Sequence, residues 1–149
     1  MSNVLDKDTT LADIMRFRAG INLETSIEEF RLIDYSIERS KIYIMRDKAT
    51  NFVQAYIIWA DVIDETWQRY LQLGTPPIYS YEWEEGDIGL VLDVVLNPSY
   101  RLNILAKVSD QFLNSKYVYK RNAKPYKFGK ALKKLAGIKK ISEGKLISL

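Results

Sequence analysis

Apolar residues recur along the chain with two different periods, and each period predicts its own kind of element. Leu11, Ile14 and Met15 share a helical face, so a short first helix is expected, capped by Thr9 or Thr10 and closed near Gly20. Ser26-Ile27-Glu28-Glu29 reads as a capping box, in which the hydroxyl and the carboxylate each satisfy a free backbone donor. Ile27, Phe30, Ile33 and Ile37 follow at helical spacing. Residues 41–45 and 52–59 are β-rich runs joined by a polar loop, the pattern of an antiparallel hairpin. Residues 61–73 read as a helix with Ile63, Trp67, Tyr70 and Leu71 on one side. Gly74-Thr75-Pro76-Pro77 ends it, and the prolines hold an extended loop.

Residues 78–87 are polar and aromatic. Residues 88–96 are almost continuously apolar and bounded by Gly86 and Pro98, the signature of a buried central strand reached by a longer connection. A helix over 100–113, a short strand at 117–119 and a short helix over 128–135 complete the pattern. The order α-α-β-β-α-β-α-β predicts an α/β or α+β sandwich built on one mixed sheet. The expected organisation is a single domain over 1–149, with 120–149 a basic C-terminal extension.

Composition narrows the chemistry. The 149 residues include no cysteine and no histidine. That excludes disulfides, thiolate zinc sites, cysteine nucleophiles, a Ser-His-Asp triad and any histidine base. No calcium-type spacing of aspartates occurs. A chain of this length buries roughly 68–70% of its unfolded surface without covalent staples. The first residues contain no apolar run of the signal-peptide kind, and no stretch approaches the roughly 20 apolar residues of a membrane span. A cytoplasmic location is therefore expected.

The net charge of +3 conceals an asymmetry: residues 1–114 carry −7 and residues 115–149 carry +10. An acidic body with a basic end suggests a polyanionic partner, or docking of the basic end on the body, against a plainly solvated tail. Tyr117, Tyr119, Tyr126 and Phe128 lie among the basic residues. That mixture suits nucleic acid, through phosphate contact and base stacking, and equally an acidic protein surface.

Asp93 stands out chemically. A carboxylate within Leu90-Val91-Leu92 and Val94-Val95-Leu96 must be paired, hydrogen-bonded or protonated if buried. It reads either as a general base with a tuned pKa or as a solvent-facing or structurally paired residue. Gly86-Asp87 is a turn signal beside Trp83, which reads as an apolar lid or a core anchor. Asn97-Pro98-Ser99-Tyr100-Arg101 opens a helix after the apolar strand, where free amides can meet an anion. No glycine-rich loop accompanies it, and capping by Ser99 is the simpler reading.

Together these pieces resemble the RTX-toxin-activating lysine acyltransferases. The resemblance rests on Tyr56-x-x-Trp59-Ala60 at a strand end and on Trp83-x-x-Gly86-Asp87 followed by Asp93 within an apolar strand. The Ser26 helix leading to residues 42–47 also fits. It spans roughly residues 20–130 and is most specific over 83–93. It implies a fold similar to the GNAT acyltransferases, and Val95-x-Asn97-Pro98-x-x-Arg101 looks like a worn form of their strand-to-helix junction. It also implies transfer of an acyl group from acyl-carrier protein or acyl-CoA, neither held as a resident cofactor, to a protein lysine amine.

By that resemblance Asp93 takes the place of the family aspartate. The family histidine belongs within residues 18–25, where this chain has none. Asp93 then acts alone, or Glu24 substitutes as base, or catalysis is lost and an acyltransferase-fold pseudoenzyme binds and inhibits a protein or nucleic-acid-processing partner. The implied substrate-binding set is Trp83, Gly86, Asp87, Tyr56, Trp59, Asn97 and Arg101. Lys120, Arg121, Lys124, Lys127, Lys130, Lys133 and Lys134 would dock the acidic carrier protein, or a nucleic acid. A homodimer is compatible with the pattern. An enzyme should show a cleft at Asp93; a binding relic should have that space filled by Trp83, Tyr56 or Met45.

Overall fold

Helix α1, Val4–Gly20, begins earlier than its polar start suggests. Thr10 does not cap it: its hydroxyl donates to the Asp6 carbonyl at 2.8 Å, a bond available only inside a helix. The left-handed residue after it is Asn22, at φ 59°, and Gly20 is still helical. Helix α2, Ile27–Glu38, starts at the capping box as expected. The Glu29 N–H donates to Ser26 Oγ at 3.0 Å, and the Ser26 N–H donates to Glu29 Oε1 at 3.3 Å.

The fold is α+β: a five-stranded mixed sheet with helices on both faces. The strands β1 (Ile42–Arg46), β2 (Val53–Val62), β3 (Ile88–Leu96), β4 (Tyr117–Arg121) and β5 (Lys124–Lys127) lie side by side in chain order. All neighbours are antiparallel except β3 and β4, which are parallel. Strand β2 continues to Val62, past the expected end at residue 59, because Ala60 and Val62 pair with Leu90 and Ile88 and are fully buried. Helix α3, Asp64–Leu73, consequently starts three residues later than expected and ends on Gly74 at φ 70°. A 3-10 turn, Ser80–Trp83, leads into β3. The structure describes residues 4–99, 104–105, 107–108, 111–112, 116–121 and 124–137 of this computed structural model.

The sheet separates two cores. On one face Ile14, Phe17, Ile33 and Ile37 of α1 and α2, with Trp67 and Trp83, cover Tyr56, Ile58, Ala60, Leu90 and Val95. On the other, Ile104, Leu105, Val108 and Phe112 join Tyr119, Phe128 and Leu132 over Ala55, Ile57, Val91, Val94 and Leu96. Residues 104, 105, 107, 108 and 111 are helical, as expected for that segment; the rest of 100–113 lies outside the described residues. Residues 124–137 of the basic C-terminal segment pack with the sheet and its second core. Strand β5 pairs with β4, and helix α4, Phe128–Gly137, buries Phe128 and Leu132. Strand β5 escapes a periodicity reading because all four of its residues are exposed and one is proline.

The approach to β3 depends on a glycine. The Gly86 N–H donates to the Asp61 carbonyl at 3.2 Å, and a Cβ on residue 86 would stand 1.8 Å from the Val62 carbonyl oxygen. Gly86→Ala should therefore lower stability by about 1–3 kcal/mol through forced backbone displacement. Urea unfolding should show a lower midpoint at unchanged slope. Gly20→Ala, where an added Cβ meets nothing within 4 Å, should not reproduce the loss.

Candidate active site

The register of β3 against β2 explains how a carboxylate comes to lie among apolar residues. Ile58 faces Asp93 and Trp59 faces Val91, so Leu92 is an extra residue, a β-bulge. With simple alternation Asp93 would share the face of Val91, in the second core. The bulge shifts the phase: Leu92 packs on the first core, Val94 on the second and Val95 on the first. Asp93 thus turns toward α1 and α2, where the Tyr56 hydroxyl donates to Asp93 Oδ2 at 3.2 Å.

Tyr56 is fully buried and is also an acceptor, taking a hydrogen bond from Arg18 Nη1 at 2.6 Å. Arg18 is 1% exposed, and partners surround its guanidinium. Nε donates to Thr25 Oγ1 at 2.7 Å, and Nη2 donates to the Glu24 carbonyl and to Glu29 Oε2, the latter at 2.6 Å. A continuous chain of hydrogen bonds runs from the start of α2 through Arg18 and Tyr56 to Asp93. Composition gave no hint of Arg18. The available signal was Tyr56 itself, a hydroxyl at an inward position of a central strand that needs a polar partner.

The charges respond to this packing. Burial raises the Asp93 carboxyl above the usual carboxylate range, and the hydrogen bond from Tyr56 and the charge of Arg18 offset only part of that. Burial, reinforced by the neighbouring Asp93 charge, pushes the Tyr56 hydroxyl up, so it stays protonated and donates. For Glu29 burial works upward but is outweighed by the bonds from Ser26 and Arg18, which hold its carboxyl below the usual range. Asp93 is itself only half-buried, unlike Tyr56 and Arg18 beneath it.

The other candidate residues are dispersed. Glu24 enters the cluster through its carbonyl, while the residue is exposed. Trp59 lies on the opposite face, edge-on to Phe112 and Tyr117. Trp83 belongs to the first core, tilted against Tyr35, and its Nε1 donates to the Pro77 carbonyl at 3.3 Å. Gly86 and Asp87 form the turn before β3. Asn97 Nδ2 donates to Gln54 Oε1 at 2.7 Å, and its Oδ1 accepts from the Ser99 N–H, so Asn97 provides the turn's side-chain acceptor. Arg101 lies outside the described residues.

Of the basic set, Lys120 donates to the Tyr70 carbonyl at 3.2 Å, and Arg121, Lys124, Lys127 and Lys130 are exposed. Lys133 and Lys134 lie in α4, with side chains outside the described residues.

Two cavities, about 420 and 670 Å³, flank the turn between β1 and β2 and share Arg46, Phe52 and Gln54. Phe17 of the smaller one stands edge-on to Tyr56, with ring centroids 6.2 Å apart. Asp93 lines neither. Tyr56 stands against Asp93 through its hydroxyl, whereas Met45 borders the larger cavity. Among the described residues, no group of acidic residues is arranged to hold a metal ion, and no helix is long and apolar enough to cross a membrane.

No protein-family model matches the sequence, and no curated protein matches it. Among solved structures, the chain is similar to a predicted acetyltransferase from Clostridium acetobutylicum, crystallised with acetyl-CoA. The two share 15% identity over 99% of this chain and 92% of that one, at a TM-score of 0.37.

The opposed shifts of Glu29 and Asp93 give pH dependences of opposite sign. Glu29 is more acidic folded than unfolded, so its stabilisation is complete above the ordinary glutamate range and is lost as pH falls through its folded value. Glu29→Gln should cost about 1 kcal/mol at pH 7, reduced from a fully buried pair because Glu29 is 44% exposed. That difference should close on acidification. Asp93 binds its proton more tightly folded than unfolded, so its ionisation subtracts stability as pH rises through the raised value. Asp93→Asn should lack that decline. Urea midpoints measured from pH 7 downward resolve both.

Proposed function

We propose that this protein is an acyltransferase of the toxin-activating lysine acyltransferase type, with a GNAT-like fold and Asp93 as its general base. The observation that carries the reading is the bulge-aimed carboxylate: half-buried, raised in pKa and fixed by Tyr56 on a buried arginine. A base needs a geometry fixed in advance and a proton affinity nearer to neutrality than a free aspartate has. In transfer to an amine, the lysine nitrogen attacks the thioester carbonyl carbon. The C–N bond forms as the C–S bond breaks, Asp93 accepts the amine proton, and the departing thiolate is finally protonated.

For the donor, the reading points to the edge of β3. Strands β3 and β4 pair at Gly89–Tyr117 and Leu90–Val118 alone, so beyond Leu90 the edge of β3 away from β2 has no strand partner among the described residues. An extended, amide-bearing thioester arm, from acyl-carrier protein or acyl-CoA, suits such an edge. Arg121, Lys124, Lys127 and Lys130 present positive charge at the neighbouring β4–β5 hairpin and α4, which favours an acidic carrier protein as the docking donor.

The second reading is an acyltransferase fold retained for binding. The complete absence of histidine and the full burial of Tyr56 beside Asp93 favour it. Incubation with acyl-loaded carrier protein, acyl-CoA and a cell lysate, followed by intact-mass spectrometry, separates the two. Acylation of a lysate protein that falls about 10²–10⁴-fold in Asp93→Asn supports the enzyme. Its rate should rise with pH through a limb above the usual carboxylate range. No acylation from either donor, with a stable partner recovered, supports the binding protein. Lys124→Glu with Lys130→Glu should weaken carrier-protein binding at least several-fold at low salt and less at high salt; unchanged calorimetric affinity overturns the docking assignment.

A further inference from the structure

The loop between α3 and β3 leaves an aromatic surface in water. Tyr79 and Tyr81 are 59% and 60% exposed, yet their rings are ordered against each other, 5.6 Å between centroids and 3° between planes. Ile78 beside them is 56% exposed. Exposed rings normally have rotamer freedom, and here the backbone beneath is clamped. Glu82, nearly buried, accepts from the N–H groups of Ile78 and Tyr79 at 2.9 and 3.1 Å, and it pairs with Arg69 of α3 at 2.7 Å. Trp83 holds the Pro77 carbonyl from below. None of these contacts involves Asp93, and the first core does not need either tyrosine ring.

Three carboxylates follow this surface in the chain. Glu84, Glu85 and Asp87 are exposed and form no ion pair among the described residues, while the basic residues beside the loop are paired elsewhere, Arg69 with Glu82 and Lys41 and Lys116 with Asp61. A ring face attracts a cation, an apolar surface takes an aliphatic stem, and carboxylates at the rim add Coulomb attraction. A lysine side chain has the cation and the stem in one group. Because the clamp fixes the loop beforehand, binding loses little conformational entropy on the protein side.

We propose that the Ile78–Tyr79–Tyr81 surface, with Glu84, Glu85 and Asp87 at its rim, docks a cationic, lysine-bearing peptide segment of the acceptor protein. This names the acceptor side of the reaction above and rests on that reading. The docking surface is distinct from the carboxylate that receives the proton. It selects the protein; Asp93 acts on the lysine.

Fluorescence anisotropy with a short labelled lysine-rich peptide, its glutamate counterpart as control, tests the assignment on the full chain. The lysine peptide should bind and the glutamate peptide should not. Tyr79→Ser with Tyr81→Ser should weaken binding about three- to tenfold, and Glu84→Gln with Glu85→Gln and Asp87→Asn by a similar factor. Asp93→Asn should bind as wild type does. All the altered docking residues are exposed, and matched urea midpoints confirm intact folding.

The proposal is overturned if the full chain binds no lysine peptide, including the case where its own basic C-terminal residues already cover the surface. It is equally overturned if the tyrosine variant binds as wild type, which would leave charge alone as the attraction. Docking without acylation in the mass assay removes the catalytic reading and leaves the surface; acylation untouched by the docking variants removes the surface and leaves catalysis.

Discussion

The guanidinium of Arg18 is taken out of water at the end of α1, and the first layer of the structure is organised around that constraint. Burying a charge costs several kcal/mol unless its donors are met. Here each nitrogen has an acceptor: a threonine hydroxyl, a backbone carbonyl, a carboxylate and a phenol. The acceptors come from the loop after α1, the first turn of α2 and the middle of β2. Satisfying one side chain therefore fixes the position of three elements, and the Tyr56 hydroxyl is left with one direction in which to donate. Asp93 lies in that direction.

Glu29 ties this arrangement to helix formation. One carboxylate oxygen closes the capping box on Ser26, and the other holds Arg18. The start of α2 and the polarity of the site are thus one electrostatic unit. Changes at the exposed end of that unit reach Asp93 through three hydrogen bonds and two intervening residues, Arg18 and Tyr56, with no contact between Glu29 and Asp93 required.

Much of the architecture was legible because it follows local rules. The capping box at Ser26, the hairpin of β1 and β2 and the apolar run of β3 each announce themselves by spacing or composition. The candidate carboxylate was legible too, since Asp93 interrupts that run. Its surroundings were not. A bulge adds one residue without changing hydrophobicity, so nothing in Leu92-Asp93 shows which face Asp93 takes. Nothing in the local sequence marks Arg18, the basic residue of the last turn of α1, because its role depends on Tyr56, thirty-eight positions away. Strand β5 was hidden for the opposite reason. Lys124-Pro125-Tyr126-Lys127 has the look of a loop because an edge strand exposes its residues and uses lysine and proline to discourage further pairing.

The division of the sheet into two cores has a consequence in time. The first core is assembled almost wholly from residues 14–95, so it can close while the rest of the chain is still being made. The second core cannot. Ala55, Ile57, Val91 and Val94 wait for Phe112, Tyr119, Phe128 and Leu132, the last of them thirty-six residues beyond the end of β3 at Leu96. At translation rates of about 5–20 residues per second, that apolar sheet face stays bare for several seconds in a nascent chain. When Phe128 and Leu132 finally cover that face, Lys127 and Lys130 beside them stay in water.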